Sequence, residues 1–117
     1  MIMAKLLKRD NIRINNVTEA MEQMIADGIT EVIVQPTHVI NGIENDLMKE
    51  DALAFKNRFE RITFGDPLLT TQQDHVEIVN AICQEFSNLP ADCALILMGH
   101  GTSHYANDVY AALDYRF

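Results

Sequence analysis

Basic residues are scarce in this 117-residue sequence, and long apolar runs are absent. Lys and Arg number 9 against 17 Asp and Glu, which gives a formal net charge of −8 at pH 7. Because binding to nucleic-acid phosphates requires a basic face, we expect no nucleic-acid partner. No run of 18 apolar residues occurs, which excludes a membrane-spanning helix.

Cysteine is scarce as well. Cys83 and Cys93 are the only two, and we interpret them as free, buried thiols in a reduced cytosol rather than as a disulfide. The charges of residues 1–9 follow the apolar part, which is the wrong order for a signal peptide. These residues instead have the pattern of a helix already in progress, so we expect a cytoplasmic protein whose chain begins inside a larger fold.

Common catalytic motifs are missing too. The sequence has no HExxH, no paired CxxC and no three-ligand spacing, so a closed zinc site is not expected. Ser103 lies beside His104, but the Gly-x-Ser-x-Gly elbow of serine hydrolases is absent. No Gly-rich phosphate-cradling loop is present, so no nucleotide cofactor is expected.

What the sequence does contain is an alternation of strand and helix patterns, with 48% hydrophobic residues as in ordinary globular proteins. Strands are predicted at residues 31–35, 61–65 and 93–98, about 30 residues apart, with amphipathic helices between them. This order predicts a three-layer α/β fold, a parallel sheet with flanking helices, as one domain over residues 1–117. Because three strands are few for such a fold, we expect an incomplete domain whose sheet is completed by further strands or by a partner.

Helices are predicted at residues 1–9, 18–28, 43–58, 71–88 and 103–115 from apolar positions with helical spacing. Two starts carry capping side chains, at residues 15–18 and at Thr70 or Thr71, and Gly28 is a predicted left-handed cap. Leu47 and Leu53 are expected to face inward. His75 is expected on a solvated helix surface.

His100 is the candidate reactive residue. It lies between Gly99 and Gly101, just beyond the carboxyl end of the predicted third strand, where open α/β sheets bind their ligands. The glycines allow a sharp turn and leave space for a bulky ligand. An imidazole can accept a proton or bind a divalent metal near neutral pH, and a single ligand would make the open, exchangeable site that metal transfer requires. The alternative is that the glycines serve only a tight exit from the strand.

Further candidate residues lie near the same predicted edge of the sheet. His38 follows the first strand, where its ring could act on a ligand or bond to a backbone carbonyl. His104 starts the last predicted helix and could support His100 or fix the loop. The other side chains that could assist are two carboxylates and two amides: Glu44, Asp108, Asn41 and Asn107.

Three stretches resemble a known family. Residues 95–107, which contain His100, are similar to the active-site strand and loop of the anaerobic cobalt chelatases (sirohydrochlorin cobaltochelatases), which are class II tetrapyrrole chelatases. Residues 35–44 resemble the loop after that family's preceding strand, and residues 64–69 resemble its Gly-x-Pro-Leu-Leu turn. Residues 1–7 resemble the end of its first helix, so the resemblance covers essentially the whole chain.

The resemblance implies a chelatase-like fold and the insertion of Co²⁺ into sirohydrochlorin without ATP, as in anaerobic cobalamin biosynthesis. It assigns His100 as the catalytic residue, both metal ligand and proton acceptor. The residues expected to bind the tetrapyrrole are His38, Asn41, Glu44, Gly99, Gly101 and His104. Two alternatives stay open: a nickel or iron chelatase, and a non-catalytic module that binds a metal or a tetrapyrrole.

The family's longer chains consist of similar α/β halves that bind the tetrapyrrole between them. The resemblance therefore implies that this chain lacks the first strand and the second half, which supplies the other metal ligands, a glutamate and a histidine. We expect little activity from such a fragment alone. Because single-domain members of the wider class are homodimers, a homo-oligomer is a further candidate.

Overall fold

The computed structural model describes the backbone of residues 2–117 and the side chains from residue 5 onward. In that part of the chain, the helices are α1 (Ile2–Asp10), α2 (Val17–Ala26), α3 (Ile43–Leu53), α4 (Gln72–Glu85) and α5 (Asp108–Arg116). The strands are β1 (Glu31–Val34) and β2 (Arg61–Phe64), and short 3₁₀ helices span Lys56–Arg58 and Tyr105–Asn107. Met1, which the predicted first helix included, lies outside the described residues.

Reciprocal side-chain caps start two of these helices. At α2, Asn16 Oδ1 accepts the N–H of Glu19 at 2.8 Å, and the Glu19 carboxylate accepts the N–H of Asn16 at 3.0 Å. At α4, Thr71 Oγ1 accepts the N–H of Asp74 at 3.2 Å, and Asp74 Oδ2 accepts the N–H of Thr71 at 2.6 Å. The backbone hydrogen bond from Thr71 lowers the pKa of the Asp74 carboxyl. Both predicted helix starts are thus confirmed, because each cap satisfies donors that the first turn leaves open.

Contacts divide the described residues into two compact units, of which the first contains the chain up to Val34 together with Met48–Thr63. Strands β1 and β2 pair in this unit as parallel neighbours. Gly28, with a φ of +77°, ends α2 in the left-handed conformation that was predicted for it. The buried apolar side chains of this unit are Met21, Val32, Ala52 and Phe59.

The second unit comprises Gln35–Leu47 and Phe64–Phe117, and it contains all of the predicted site residues. An isolated parallel bridge joins Ile40 to Leu69. Helices α4 and α5 contact each other within this unit. Its buried apolar residues are Leu69, Val79 and Ala106.

The prediction of a third strand at residues 93–98 is wrong. This segment forms no strand and no bridge with any described part of the chain, and its side chains are exposed, Ile96 at 85% and Met98 at 95%. A strand exists only where a neighbouring backbone exchanges hydrogen bonds with it, and an apolar composition does not provide that neighbour. The described sheet is therefore two-stranded and parallel, in a chain of mixed α/β structure.

Two predicted helices are shorter than expected. Helix α3 ends at Leu53, and both Leu47 and Leu53 are exposed rather than turned inward. Helix α5 begins at Asp108 because the His104 side chain caps a 3₁₀ turn that precedes it. None of the helices in residues 2–117 has the length and apolar character needed to cross a membrane.

Burial also differs from expectation at three titratable or reactive side chains. His75 is buried, with 8% of its surface exposed, because it lies one helical turn before the buried Val79 on the same face of α4. Cys83 and Cys93 are free, as predicted, but both are exposed. Cys83 lies in the last turn of α4, and Cys93 lies in the unpaired segment.

Candidate metal-binding site

The His100 side chain projects from an exposed loop with one ring nitrogen already bonded. Its Nδ1 lies 2.9 Å from the carbonyl oxygen of Gly101. A carbonyl oxygen can only accept, so Nδ1 carries the proton and donates, which leaves the lone pair of the neutral ring on Nε2. Histidines that bind metals commonly donate their other ring N–H to a backbone carbonyl in this way. The loop therefore presents a free Nε2 that can bind a metal ion or accept a proton.

Each glycine beside His100 has a distinct structural reason. Gly101 has a φ of +71°, in the left-handed region that side chains disfavour. At Gly99, a β-carbon would lie 2.7 Å from Cε1 of the Tyr110 ring. The sharp turn that the sequence predicts is thus present at Gly101, whereas the space above Gly99 is taken by an aromatic ring of α5.

The loop after His100 is held by side chains of the chain that follows it. Asn107 Oδ1 accepts the N–H of Thr102 at 3.1 Å. Thr102 Oγ1 in turn accepts the N–H of His104 at 3.2 Å. These hydrogen bonds fix the backbone on the carboxyl side of Gly101. The turn from which the His100 side chain projects is therefore well defined.

His104 has a partner at each ring nitrogen. Its Nδ1 accepts the N–H of Ala106 at 3.2 Å, which caps the 3₁₀ turn. Its Nε2 lies 3.2 Å from Oδ2 of Asp46 in α3. The sequence left open whether His104 supports His100 or fixes the loop. These contacts are the ones expected of a side chain that fixes the loop.

Three of the stretches that resemble the chelatases, residues 35–44, 64–69 and 95–107, lie in the second unit. The Gln35 side chain donates to the carbonyl of Asp66 at 3.0 Å, and the Gln35 amide occupies the place of a β-carbon at Gly65. The Ile40–Leu69 bridge joins the same two stretches. The stretch that carries His100 contacts α3 through His104 and Asp46, which lies two residues after the stretch 35–44.

The remaining predicted site residues differ in burial and in hydrogen bonding. His38 is partly buried, and its Nδ1 has no hydrogen-bond partner among the described residues. Of the two roles that the sequence left open for His38, a bond to a backbone carbonyl is therefore not made by this atom. Glu44 is exposed in the first turn of α3. Residues 2–117 contain no group of three or more His, Cys, Asp or Glu side chains that could hold a metal. The described residues therefore supply no complete three-ligand metal site around His100.

Asn41 has a partner that sequence reasoning missed. Its Oδ1 accepts a hydrogen bond from Nδ2 of Asn45. Asn45 is fully buried, and its own Oδ1 has no partner within the described residues. The signal that could have identified Asn45 is its place in the first turn of α3, four residues after Asn41 and close in sequence to it.

An apolar cleft of about 680 Å³ lies beside the His100 loop. Gly99 and Gly101 both line it, and His100 lies between them in the chain. Most of the lining is aliphatic or aromatic, and examples from the loops, α4 and α5 are Leu69, Ile78, Ile82, Leu97, Tyr110 and Leu113. A volume of this size suits a ligand larger than a metal ion. The arrangement can thus combine one exchangeable metal ligand with an apolar surface for an organic partner.

The sequence of this chain is similar to those of known proteins. Residues 1–117 match the family described as cobalt chelatase (CbiK). The chain is 36% identical over 115 residues to the sirohydrochlorin cobaltochelatase of Salmonella typhimurium, covering 98% of this chain and 44% of that protein. It is 34% identical over 118 residues to sirohydrochlorin cobaltochelatase CbiKC of Nitratidesulfovibrio vulgaris, covering 96% of this chain and 41% of that protein.

These matches assign the chain to a class of proteins, the metal chelatases. The chain belongs to the cobalt chelatase (CbiK) family. The resemblance identified from the sequence is thereby confirmed. The chain spans less than half the length of the two curated relatives named above.

Proposed function

We propose that this chain forms part of a sirohydrochlorin cobaltochelatase in which His100 binds Co²⁺ and accepts a proton from the tetrapyrrole. The observation that carries the proposal is the hydrogen bond from His100 Nδ1 to the Gly101 carbonyl, which leaves Nε2 free. The family match and the apolar cleft beside the loop add support.

The proposed reaction exchanges two protons for one metal ion. Co²⁺ loses its waters and gains bonds to the ring nitrogens, while the two pyrrole N–H groups of the macrocycle release their protons. A histidine at the face of the macrocycle can first bind the ion and then, once the ion has moved to the ring, accept one of the two protons at Nε2, while the other passes to water. An open site suits this exchange because a closed site would retain the ion. The step uses no nucleotide.

The proposed tetrapyrrole site is walled by the apolar cleft, by the loop that contains His38 and by the loop that contains His100. The residues assigned to substrate binding in this proposal are His38, Asn41, Glu44, Gly99, Gly101 and His104. We also propose the finer fold, a three-layer chelatase-like arrangement with helices on both faces of a parallel sheet. A cytoplasmic location is part of the proposal, and the exposed free thiols of Cys83 and Cys93 suit a reducing compartment.

Other groups must complete the metal site. Within residues 2–117, no cluster provides further ligands, and the relatives are more than twice as long as the matched region. We propose that the remaining ligands come from outside this chain, either from a further polypeptide segment of the enzyme or from a second copy in a homo-oligomer.

The test is an absorbance assay of Co²⁺ insertion into sirohydrochlorin by the full-length enzyme that contains this chain and by its His100→Ala variant. Loss of the ligand and base is expected to slow insertion by about a hundredfold or more. Ser103→Ala is the matched control, because Ser103 is exposed in the same loop and has no assigned role. Insertion by His100→Ala at the wild-type rate would contradict the proposal.

A second candidate function follows from the absence of a three-ligand metal cluster among the described residues. A non-catalytic module would bind Co²⁺ or the tetrapyrrole tightly without turnover. Titration with Co²⁺ alone, followed through the imidazole NMR signals, separates these cases. Perturbation of His100 without insertion favours the module, and no perturbation of any histidine indicates that the glycines only form a turn. Parallel assays with Ni²⁺ and Fe²⁺ identify the metal.

A further inference from the structure

We propose that Asp46 is a positioning residue that acts through His104 to hold the His100 loop in its metal-binding conformation. This inference rests on the proposed function, because it concerns the same loop. It goes further by assigning a role to a carboxylate in α3, and by giving His104 the role of a support rather than of a second metal ligand.

The contacts of His104 determine which of its ring nitrogens carries the proton. Ala106 contributes a backbone N–H, which can only donate, so Nδ1 of His104 must carry the lone pair. The proton of the neutral ring is then on Nε2, where it faces Oδ2 of Asp46 at 3.2 Å. Asp46 accepts this hydrogen bond and thereby selects the tautomer that caps the 3₁₀ turn.

The contact between His104 and Asp46 is partly shielded from solvent. The side chain of His104 is only 13% exposed, whereas that of Asp46 is 54% exposed. The Tyr105 ring covers the imidazole, with ring centroids 4.0 Å apart and planes inclined by 38°. The His104 ring is therefore fixed by a hydrogen bond at each nitrogen and by an aromatic neighbour.

A series of hydrogen bonds connects His104 to the turn that carries His100. The capped 3₁₀ turn ends at Asn107, whose Oδ1 accepts the N–H of Thr102. Thr102 in turn accepts the backbone N–H of His104, so the hydrogen bonds return to the residue that Asp46 holds. Gly101 lies immediately before Thr102, and its carbonyl accepts the bond from His100 Nδ1. A displacement of His104 is thus transmitted to the group that orients His100.

The two histidines consequently have opposite tautomers. His100 carries its proton on Nδ1 and exposes Nε2, whereas His104 carries its proton on Nε2 and accepts at Nδ1. The competing hypothesis makes His104 a second ligand of the metal. That role would require His104 to give up either Asp46 or the Ala106 N–H.

The experiment begins with long-range ¹H–¹⁵N NMR spectra of the metal-free protein, which report the tautomer of each histidine. We expect the Nε2–H tautomer at His104 in the wild type and a mixture of tautomers in Asp46→Ala. Exchange of the Thr102 amide hydrogen is expected to become faster in that variant, because its acceptor Asn107 is no longer held in place. Titration with Co²⁺ alone is then expected to show affinity at His100 reduced by about tenfold, the lower end for partners of metal ligands.

Two further variants make the outcome specific. Asp46→Asn keeps an acceptor oxygen and is expected to retain most of the wild-type tautomer and Co²⁺ affinity. Asp51→Ala removes the same charge from the same helix at another exposed position, and it is expected to change neither. An equal effect of Asp51→Ala would overturn the proposal, because only net charge would then matter.

The proposal is also overturned by an Nδ1–H tautomer at His104 in the wild type, or by an unchanged tautomer and unchanged Thr102 exchange in Asp46→Ala. Failure of the proposed function has a different signature. In that case Co²⁺ leaves His100 of the wild type unperturbed, while the tautomer and the amide exchange, both measured without metal, still decide the role of Asp46.

Discussion

The ring of Tyr110 in α5 lies directly against the backbone of Gly99. A β-carbon at position 99 would lie 2.7 Å from Cε1 and 2.8 Å from Cδ1 of that ring. Such distances are far below van der Waals contact, so the last helix determines which residue precedes His100. The glycine follows from packing at this position rather than from a backbone angle.

Substitution of Gly99 by alanine is therefore expected to destabilise the protein by about 1–3 kcal/mol, as overpacking does. The loss is measured by urea denaturation. Removal of the ring in Gly99→Ala/Tyr110→Ala is expected to recover part of this loss, with a coupling energy of at least about 0.5 kcal/mol. If the effects of the single substitutions simply add, the contact is not the reason for the glycine.

Two glycines with similar backbone angles provide a matched pair. Gly101 has a φ of +71° and Gly28 a φ of +77°, and neither is crowded, since the nearest atom to an added β-carbon at Gly101 is 3.9 Å away. We expect Gly101→Ala and Gly28→Ala each to lower the free energy of unfolding by about 1–2 kcal/mol through backbone strain alone.

Only the substitution at Gly101 is expected to weaken binding of Co²⁺ at His100, because its carbonyl orients that ring. Asparagine tolerates the left-handed conformation better than alanine, so Gly101→Asn is expected to recover part of the stability. Equal Co²⁺ binding by the two alanine variants would show that the turn does not orient His100.

Asp74 makes part of the stability depend on pH. Two hydrogen bonds with Thr71 lower the pKa of the Asp74 carboxyl below its ordinary value of 3.8. The bond from the Thr71 backbone has the larger effect, and the bond with the Thr71 side chain adds to it. A lowered pKa in the folded state stabilises the protein above the unfolded-state pKa, and that contribution is lost as the pH falls through the folded-state pKa. The stability difference between wild type and Asp74→Ala is thus expected to be constant near neutral pH and to shrink below pH 3.8. Denaturation curves over this range measure it, and a difference that does not change with pH would contradict the assignment.

His75 is buried in α4 with an Nε2 atom that has no hydrogen-bond partner among the described residues. An unsatisfied buried polar atom costs about 1–3 kcal/mol. We expect His75→Leu to be as stable as the wild type or more stable by about 1 kcal/mol, since it removes that cost at similar volume. Thermal unfolding is the measurement. The comparison is Val79→Ala on the same face, which is expected to lose stability because it removes buried methyl groups. A large loss in His75→Leu would mean that the ring nitrogen has a partner in solution.

Local signals in the sequence were sufficient for the helix starts and for two of the strands. Asn16 and Thr71 cap their helices through residues three positions away, so neighbouring residues contain all the necessary information. The left-handed turn at Gly28 is likewise a property of a single residue. The loop around His100 was identified because its motif is short and contiguous, and the family match confirms the resemblance.

Features that depend on distant residues were not predictable in the same way. The third strand was expected from composition, but residues 93–98 have no neighbouring strand in the described chain, and strand formation requires hydrogen bonds to another segment. The burial of His75 was missed because a helical pattern gives the faces of a helix but not which face is covered.

The sequence by itself determined the chemistry available in this protein: one histidine between glycines, few basic residues and no contiguous motif for a closed metal site. The tertiary structure decided how that chemistry is oriented. It bonds His100 Nδ1 to Gly101, uses both nitrogens of His104, and brings Asp46 of α3 to a loop far along the chain. The physical reason is that a residue's type gives its donors and acceptors, whereas their partners are chosen by packing between segments that are distant in sequence.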